Sequence, residues 1–189
     1  KRNEFKIFTG YSWSIRMTLK QKSEGIYLDD SFDDVMFDSL IFDCDGVLID
    51  ITKSYDQTII TTTKYILETL AKITDSIDID FKIIDGFKST GGFNDEVDLT
   101  YAAILSIIAA KKLKKDQTEF IFNVIKNSDS TGIKSVENFL KKQIDISEII
   151  DQLSYPGSHK ENILYQTFDQ LFYGPELYSK LFQNSSKFS

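Results

Sequence analysis

Residues 40–50 contain an apolar run that ends in two carboxylates and a glycine. Residues 40–42 have the character of a buried strand, and Asp43 and Asp45 follow at positions i and i+2. Because side chains alternate along a strand, both carboxylates would lie on one face. In open α/β sheets, ligands gather beyond the carboxyl ends of the strands. The pattern therefore predicts a site at a sheet edge, where Gly46 lets the backbone turn away.

Two carboxylates held this close together repel each other and cost free energy to desolvate, so the pattern favours a compensating cation. A hard, oxygen-seeking ion fits best, and we expect Asp43 and Asp45 to be ligands of Mg²⁺. The simpler alternative is an Asp-Gly turn with both acids solvated. A calcium loop of the EF-hand type is excluded, because it would place Ile41 and Thr52 where acidic ligands are required.

Composition limits the partners of the chain. With 189 residues and 41% hydrophobic content, it can bury the core of one domain with a small second lobe. Its net charge of −7 disfavours nucleic acid and offers no basic patch for a membrane. No apolar run approaches the roughly 20 residues that span a bilayer, and a cytoplasmic location is expected. The single cysteine, Cys44, is predicted to be a small buried hydrophobe.

After Asp50 the apolar period changes from two to about 3.6, which predicts a chain of helices. The first covers residues 54–73 and is capped by Ser54 or Thr52. A glycine-rich loop is predicted over residues 89–92, a turn over 154–158 and a helix break over 173–175. Further helices are predicted over residues 80–87, 94–112, 117–127, 132–144, 147–153, 161–172 and 175–182.

Outside these helices, three predictions concern single features. Residues 14–22 have a helix-like pattern, which predicts an N-terminal helix packed on the sheet. Trp13 is expected to anchor that segment to the core, with a contact to a partner as the alternative. His159 has no Cys or His neighbours in the sequence and is predicted to be a surface residue.

Residues 43–47 read Asp-Cys-Asp-Gly-Val, which resembles the first motif of the haloacid-dehalogenase-like hydrolases, Asp-x-Asp-x-Thr or Asp-x-Asp-x-Val after an apolar strand. Ser54-Tyr55 and residues 91–95 resemble the helical cap of the phosphoglycolate-phosphatase-like branch. The resemblance covers roughly residues 38–182. It implies an α/β fold with a Rossmann-like core. In this chain the fold would be mostly helical, with a first catalytic strand, an inserted α-helical cap and the rest of the sheet missing.

The resemblance implies three segments. Residues 1–53 would hold the N-terminal segment and the catalytic strand, residues 54–153 the cap, and residues 154–189 a helical return toward the core. Within the first segment, Asp43 would be the nucleophile and Asp45 the general acid and base. Mg²⁺ would bind the Asp43 carboxylate and the Asp45 backbone carbonyl.

The glycine-rich loop would supply the substrate-binding residues Gly92, Phe93 and Asn94, with Asp98 assisting one turn later. Asn94 and Asp95 have an equal alternative as a simple helix cap. The implied function is a Mg²⁺-dependent phosphatase that hydrolyses a small phosphorylated metabolite through an aspartyl-phosphate.

The chain departs from the family pattern after the cap. The later Ser or Thr, the phosphate-binding Lys and the distal acidic pair are not found before Ser189. We therefore expect an incomplete chain with little turnover of its own. Two alternatives stay open: a non-catalytic binding or regulatory protein, and a phosphomutase that returns the phosphoryl group to a sugar.

Overall fold

The computed structural model describes residues 4–5, 17–24, 26–29, 38–39 and 41–188. Leu40 and Trp13 therefore lie outside the described residues. The chain divides into two compact units, Lys1–Asp43 and Cys44–Ser189. Residues 44–53, which the sequence groups with the N-terminal segment, thus belong to the same compact unit as the helices.

The first unit contains a small antiparallel sheet rather than a helix. Its strands β1 (Glu4–Phe5), β2 (Met17–Ser23) and β3 (Ile26–Asp29) pair in the order β1-β2-β3. The helix predicted over residues 14–22 is therefore wrong. A Glu-Gly pair between two short runs with β-forming residues is a hairpin pattern. The local preferences of the segment for helix and for strand are both weak, and pairing with the neighbouring strand favours the strand.

The catalytic strand predicted at residues 40–43 is also wrong in its described part, because residues 41–43 do not form a strand. The Ile41 side chain is 97% exposed and Phe42 is 62% exposed. A strand requires partners for its backbone N–H and C=O groups. The strands that the structure describes in the first unit pair with one another, in the order β1-β2-β3.

The second unit is helical, which confirms the prediction of a mostly helical chain. It begins with a π-helical turn at Thr52–Asp56 that runs directly into the first α-helix. The α-helices are α1 (Gln57–Thr69), α2 (Phe81–Lys88), α3 (Glu96–Lys112), α4 (Gln117–Lys126), α5 (Ile133–Lys141), α6 (Ser147–Leu153) and α7 (Ile163–Phe182).

Side-chain caps explain where several of these helices begin. Asp80, Asp116 and Asn162 each accept hydrogen bonds from backbone N–H groups in the first turns of α2, α4 and α7. The first helix differs from its prediction, because neither Thr52 nor Ser54 caps it. Asp50 instead accepts from the Thr52 backbone N–H at 3.0 Å.

The core is organised around α3, whose residues 99–110 are all buried. A helix that is apolar on every side has no face to offer to water and must be surrounded. Accordingly, α3 packs against α1, α2, α4, α5 and α7. Alanines on α3, such as Ala102 and Ala103, let the neighbouring helices approach closely. In the described part of the chain, no helix is both long enough and apolar enough to cross a membrane.

Helix α7 closes the bundle by packing on α1 and α3. Its backbone leaves helical geometry at Gly174, where φ is 70° and ψ is 168°, and Pro175 follows. The break predicted over residues 173–175 is therefore confirmed. The first half of α7 carries the buried Leu164 and Phe168, and the second half carries the buried Tyr178.

Candidate active site

Residues 44–49, which include Asp45 and Gly46 of the motif, form a tight turn at the start of the second unit. The backbone N–H groups of Leu48 and Ile49 both donate to the Cys44 carbonyl at 2.9 Å, and the Gly46 N–H donates to the Ile49 carbonyl at 2.9 Å. Gly46 has a φ of 75°, which a glycine adopts without strain. The turn predicted at Gly46 is thus confirmed.

The two candidate catalytic carboxylates are both exposed. Asp43 is the last residue of the first unit, whereas Asp45 belongs to the second. Cys44 is exposed as well, so the prediction of a buried cysteine is wrong. The prediction rested on a strand at residues 40–43, and the described part of that range, residues 41–43, is not a strand.

Asp45 is connected to the helical bundle through Tyr55. The Tyr55 hydroxyl donates to Asp45 Oδ2 across 3.4 Å. The ring of Tyr55 packs on Phe172 of α7 with centroids 4.6 Å apart. Tyr55 lies in the π-helical turn before α1, a feature that is frequent at functional sites.

The surroundings of Tyr55 keep its hydroxyl protonated. Burial raises the pKa of the Tyr55 phenol above its ordinary value, and the negative charges of Asp45 and Glu96 raise it further, with a smaller contribution from Tyr173. A phenol with a raised pKa remains a hydrogen-bond donor at neutral pH.

Two of the three predicted substrate-binding residues serve packing. Phe93 has no exposed surface, and its ring meets Phe87 edge-on with centroids 5.0 Å apart. A Cβ atom at Gly92 would lie 2.5 Å from the Asp129 carbonyl oxygen and 2.5 Å from the Gly132 nitrogen. The expected close approach at Gly92 is therefore made to the protein backbone, and the Phe93 side chain is shielded from any ligand.

Asn94 is exposed, and of the predicted substrate loop it is the side chain that a ligand can reach. Its neighbour Asp95 caps α3 by accepting from the Val97 N–H at 2.7 Å. The alternative of a helix cap is thus realised at Asp95. One residue further, Glu96 pairs with Lys88 at 3.3 Å, so the helices on either side of the loop are linked by charge.

A network of tyrosines and carboxylates lies along the start of α3 and was missed by sequence reasoning. The Tyr155 hydroxyl donates to Asp98 Oδ1 at 2.5 Å, and the Tyr101 hydroxyl donates to Glu137 Oε1 at 2.9 Å. Burial raises the pKa of the Asp98 carboxyl, and the hydrogen bond from Tyr155 opposes that rise. Asp98 was expected to assist substrate binding, and here one of its oxygens is already occupied by Tyr155.

His159 is exposed, as predicted, but it is not isolated. Its Nδ1 lies 3.3 Å from Asp169 Oδ2, and its ring stacks on Tyr165 with centroids 3.7 Å apart. Burial raises the pKa of the Asp169 carboxyl, and the contact with His159 opposes the rise. The sequence signal for this pair was a lone acid on the apolar stripe of α7, between Phe168 and Phe172.

The donor chemistry of the motif suits magnesium. Mg²⁺ uses one or two carboxylates together with water and substrate phosphate, rather than a cage made of protein ligands alone. Asp43 and Asp45 supply carboxylate oxygens of this kind. Over residues 41–188 and the shorter described stretches, no group of three or more His, Cys, Asp or Glu side chains is placed to hold a metal ion.

Comparison of the chain with protein-family models, with curated proteins and with solved structures finds no match.

Proposed function

We propose that this chain belongs to a Mg²⁺-dependent phosphatase of the haloacid-dehalogenase-like type, which hydrolyses a small phosphorylated metabolite. The proposal rests on the resemblance of residues 43–47 to the nucleophile motif of that family. The helices that follow the motif support the second part of the resemblance, an α-helical cap.

The observation that carries the proposal is the hydrogen bond between the motif and the helical unit. Tyr55, in the turn before α1, donates to Asp45 at 3.4 Å, and the negative charge of Glu96 contributes to the raised pKa of the Tyr55 phenol. The exposed Asn94 lies two residues before α3. In the proposed enzyme, Asp45 transfers the proton and Asn94 binds the substrate.

The proposed chemistry has two steps. A carboxylate oxygen of Asp43 attacks phosphorus, the ester P–O bond breaks, and the leaving alcohol takes a proton from Asp45. Asp45 then removes a proton from water, whose oxygen attacks the phosphorus and releases inorganic phosphate with free Asp43. Mg²⁺, held by the Asp43 carboxylate and the Asp45 backbone carbonyl, would supply charge neutralisation between the nucleophile and the phosphoryl group.

The helical unit would supply specificity. In the proposed enzyme, Asn94 hydrogen-bonds the non-phosphate end of the substrate, since its side chain faces solvent beside the N-terminal end of α3. The Lys88–Glu96 pair keeps the two helices that flank the loop in a fixed relation. Exclusion of bulk water around the phosphoryl group would strengthen the electrostatic interactions there.

The test is formation of the aspartyl-phosphate. Excess protein is mixed with p-nitrophenyl phosphate and Mg²⁺, quenched in acid and analysed by intact-mass and peptide mass spectrometry. We expect one phosphoryl group on Asp43, none in Asp43→Asn, and a retained adduct in Asp45→Asn, because nitrophenolate leaves without a proton. An unmodified Asp43 in both wild type and Asp45→Asn, with no release of nitrophenolate, would refute the proposed activity, because the second step can remove the phosphoryl group from wild type before the quench.

A non-catalytic binding or regulatory protein is the second candidate. The observation in its favour is the exposure of apolar side chains around the motif, with Val47 62%, Leu48 64% and Ile49 54% exposed. Apolar side chains at a protein surface often mark a place where another protein binds. The mass-spectrometric test separates the candidates, and a phosphomutase would differ from a phosphatase by transferring the group to an added sugar instead of water.

A further inference from the structure

We infer that Tyr55 is a positioning residue that orients the carboxylate of Asp45 for proton transfer to the leaving alcohol. This inference rests on the proposed function and names a residue that the motif alone does not include.

Asp45 needs a second group to hold its carboxylate in one orientation. It sits on an exposed turn, and a carboxylate in water rotates freely about its side-chain torsions. Among the described residues, the Tyr55 hydroxyl is the one group that donates a hydrogen bond to the Asp45 side chain. The orientation of Asp45 therefore depends on where Tyr55 holds its oxygen.

Tyr55 is held in place through its backbone and through its ring. Its backbone N–H donates to the Ile51 carbonyl at 2.9 Å, and its ring packs on Phe172 of α7. The phenol therefore projects from a helical turn that is braced by a second helix. A group fixed in this way can set the direction of a carboxylate on a neighbouring turn.

The two carboxylate oxygens of Asp45 have different roles in the proposed reaction. Tyr55 contacts Oδ2, which leaves Oδ1 to carry the proton that the leaving alcohol receives. General acid catalysis requires that oxygen to lie within hydrogen-bond reach of the alcohol oxygen. Losing the Tyr55 hydroxyl leaves the proposed metal ligands, the Asp43 carboxylate and the Asp45 backbone carbonyl, in place but lets the Asp45 carboxylate turn away.

The expected effect is a loss of rate that depends on the leaving group. Tyr55→Phe should slow phosphorylation of Asp43 by an alkyl phosphate about tenfold, since misorientation of a catalytic group costs one to two orders of magnitude. Phosphorylation by p-nitrophenyl phosphate should change much less, because that leaving group needs no proton. Tyr65→Phe is the matched control, since Tyr65 lies on α1 and its ring contacts Phe188.

A second readout needs neither metal nor substrate. With ¹³Cζ-labelled tyrosine at a single neutral pH, the resonance absent from the Tyr55→Phe spectrum identifies Tyr55 among the nine tyrosines. That resonance should move in Asp45→Asn, whereas the Tyr65 resonance should not.

The outcomes separate this inference from the proposed function. If Asp43 takes no phosphoryl group in either wild type or Asp45→Asn and no nitrophenolate is released, the phosphatase and the role of Tyr55 in it both fall. If Asp43 is phosphorylated but Tyr55→Phe slows both substrates equally, or slows neither, only the positioning role is overturned. An unmoved Tyr55 resonance in Asp45→Asn likewise overturns the positioning role. Selective loss with the alkyl phosphate, together with a shifted resonance, supports it.

Discussion

Replacing Gly92 by alanine tests whether the glycine-rich loop is built for packing or for a ligand. An added Cβ would lie 2.5 Å from the backbone oxygen of Asp129 and 2.7 Å from the Gly132 Cα, distances at which the backbone must move. Because backbone atoms cannot rotate away as a side chain can, the loop and the start of α5 would have to separate. We therefore expect Gly92→Ala to destabilise the helical unit.

The magnitude follows from two opposing terms. Overpacking of a close contact costs about 1–3 kcal/mol, with the upper part of that range expected where backbone meets backbone. Alanine recovers about 0.4–1 kcal/mol by restricting the unfolded chain. The net loss in the free energy of unfolding should be about 2 kcal/mol.

The matched control is Gly91→Ala, one residue earlier. Gly91 has a φ of 78° and no atom within 4 Å of an added Cβ, so its substitution carries only backbone strain. The left-handed conformation costs a residue with a Cβ about 1–2 kcal/mol, which the unfolded-state gain partly offsets. Gly91→Ala should therefore lose about 1 kcal/mol or less.

Urea unfolding followed by circular dichroism at the helical band measures both variants. If Gly92→Ala is no less stable than Gly91→Ala, the contact between the loop and Gly132 tolerates an extra carbon. The expected cost of the backbone contact at Gly92 is then wrong. A Gly92→Ala protein that folds with wild-type stability but loses ligand binding would instead assign Gly92 to the substrate loop.

Two further predictions concern the buried polar groups. Tyr155→Phe removes the hydroxyl that donates to Asp98 and should lower the free energy of unfolding by about 1–3 kcal/mol, measured by urea unfolding at neutral pH; an unchanged stability would show that water replaces the hydroxyl. For Asp169, burial raises the folded-state pKa above the ordinary value of 3.8, so protonation favours the folded state. Its contribution is therefore fully present below pH 3.8 and is lost as pH rises through the folded pKa. The free energy of unfolding of wild type, measured relative to that of Asp169→Asn, should therefore fall as pH rises from 3.8 through the folded-state pKa of Asp169. A difference between the two proteins that does not change with pH would contradict this assignment.

The helices of the second unit were predictable because their signals are local. Helix α6 covers Ser147–Leu153 as predicted, and α2 and α4 begin and end within one residue of their predicted bounds. Apolar residues at a period of 3.6, acidic caps and glycine breaks act over one or two turns. The burial of α3 followed from the same local evidence, since a helix apolar on all sides must lie inside.

The strands were not predictable in this way, because a strand forms only where another strand is available to pair with it. Residues 14–22 have a pattern compatible with a helix, yet part of that stretch pairs with β3 as the strand Met17–Ser23. Residues 41–43 have the composition of a strand, yet they form none and leave Ile41 exposed. Backbone hydrogen bonds between strands join segments that a local pattern does not specify.

Local sequence patterns predict the helices, the turn at Gly46 and the residues from which a phosphate-transfer site can be proposed. They do not predict which other residues these side chains contact, and that depends on the packing of the whole unit. Asp98 meets Tyr155, which is 57 residues away, and Gly92 meets Gly132 across two helices. Local sequence sets the backbone conformation of each element through interactions over a few residues. The distance between two elements instead depends on how all of their apolar faces pack at once, and no single stretch of the chain contains that information.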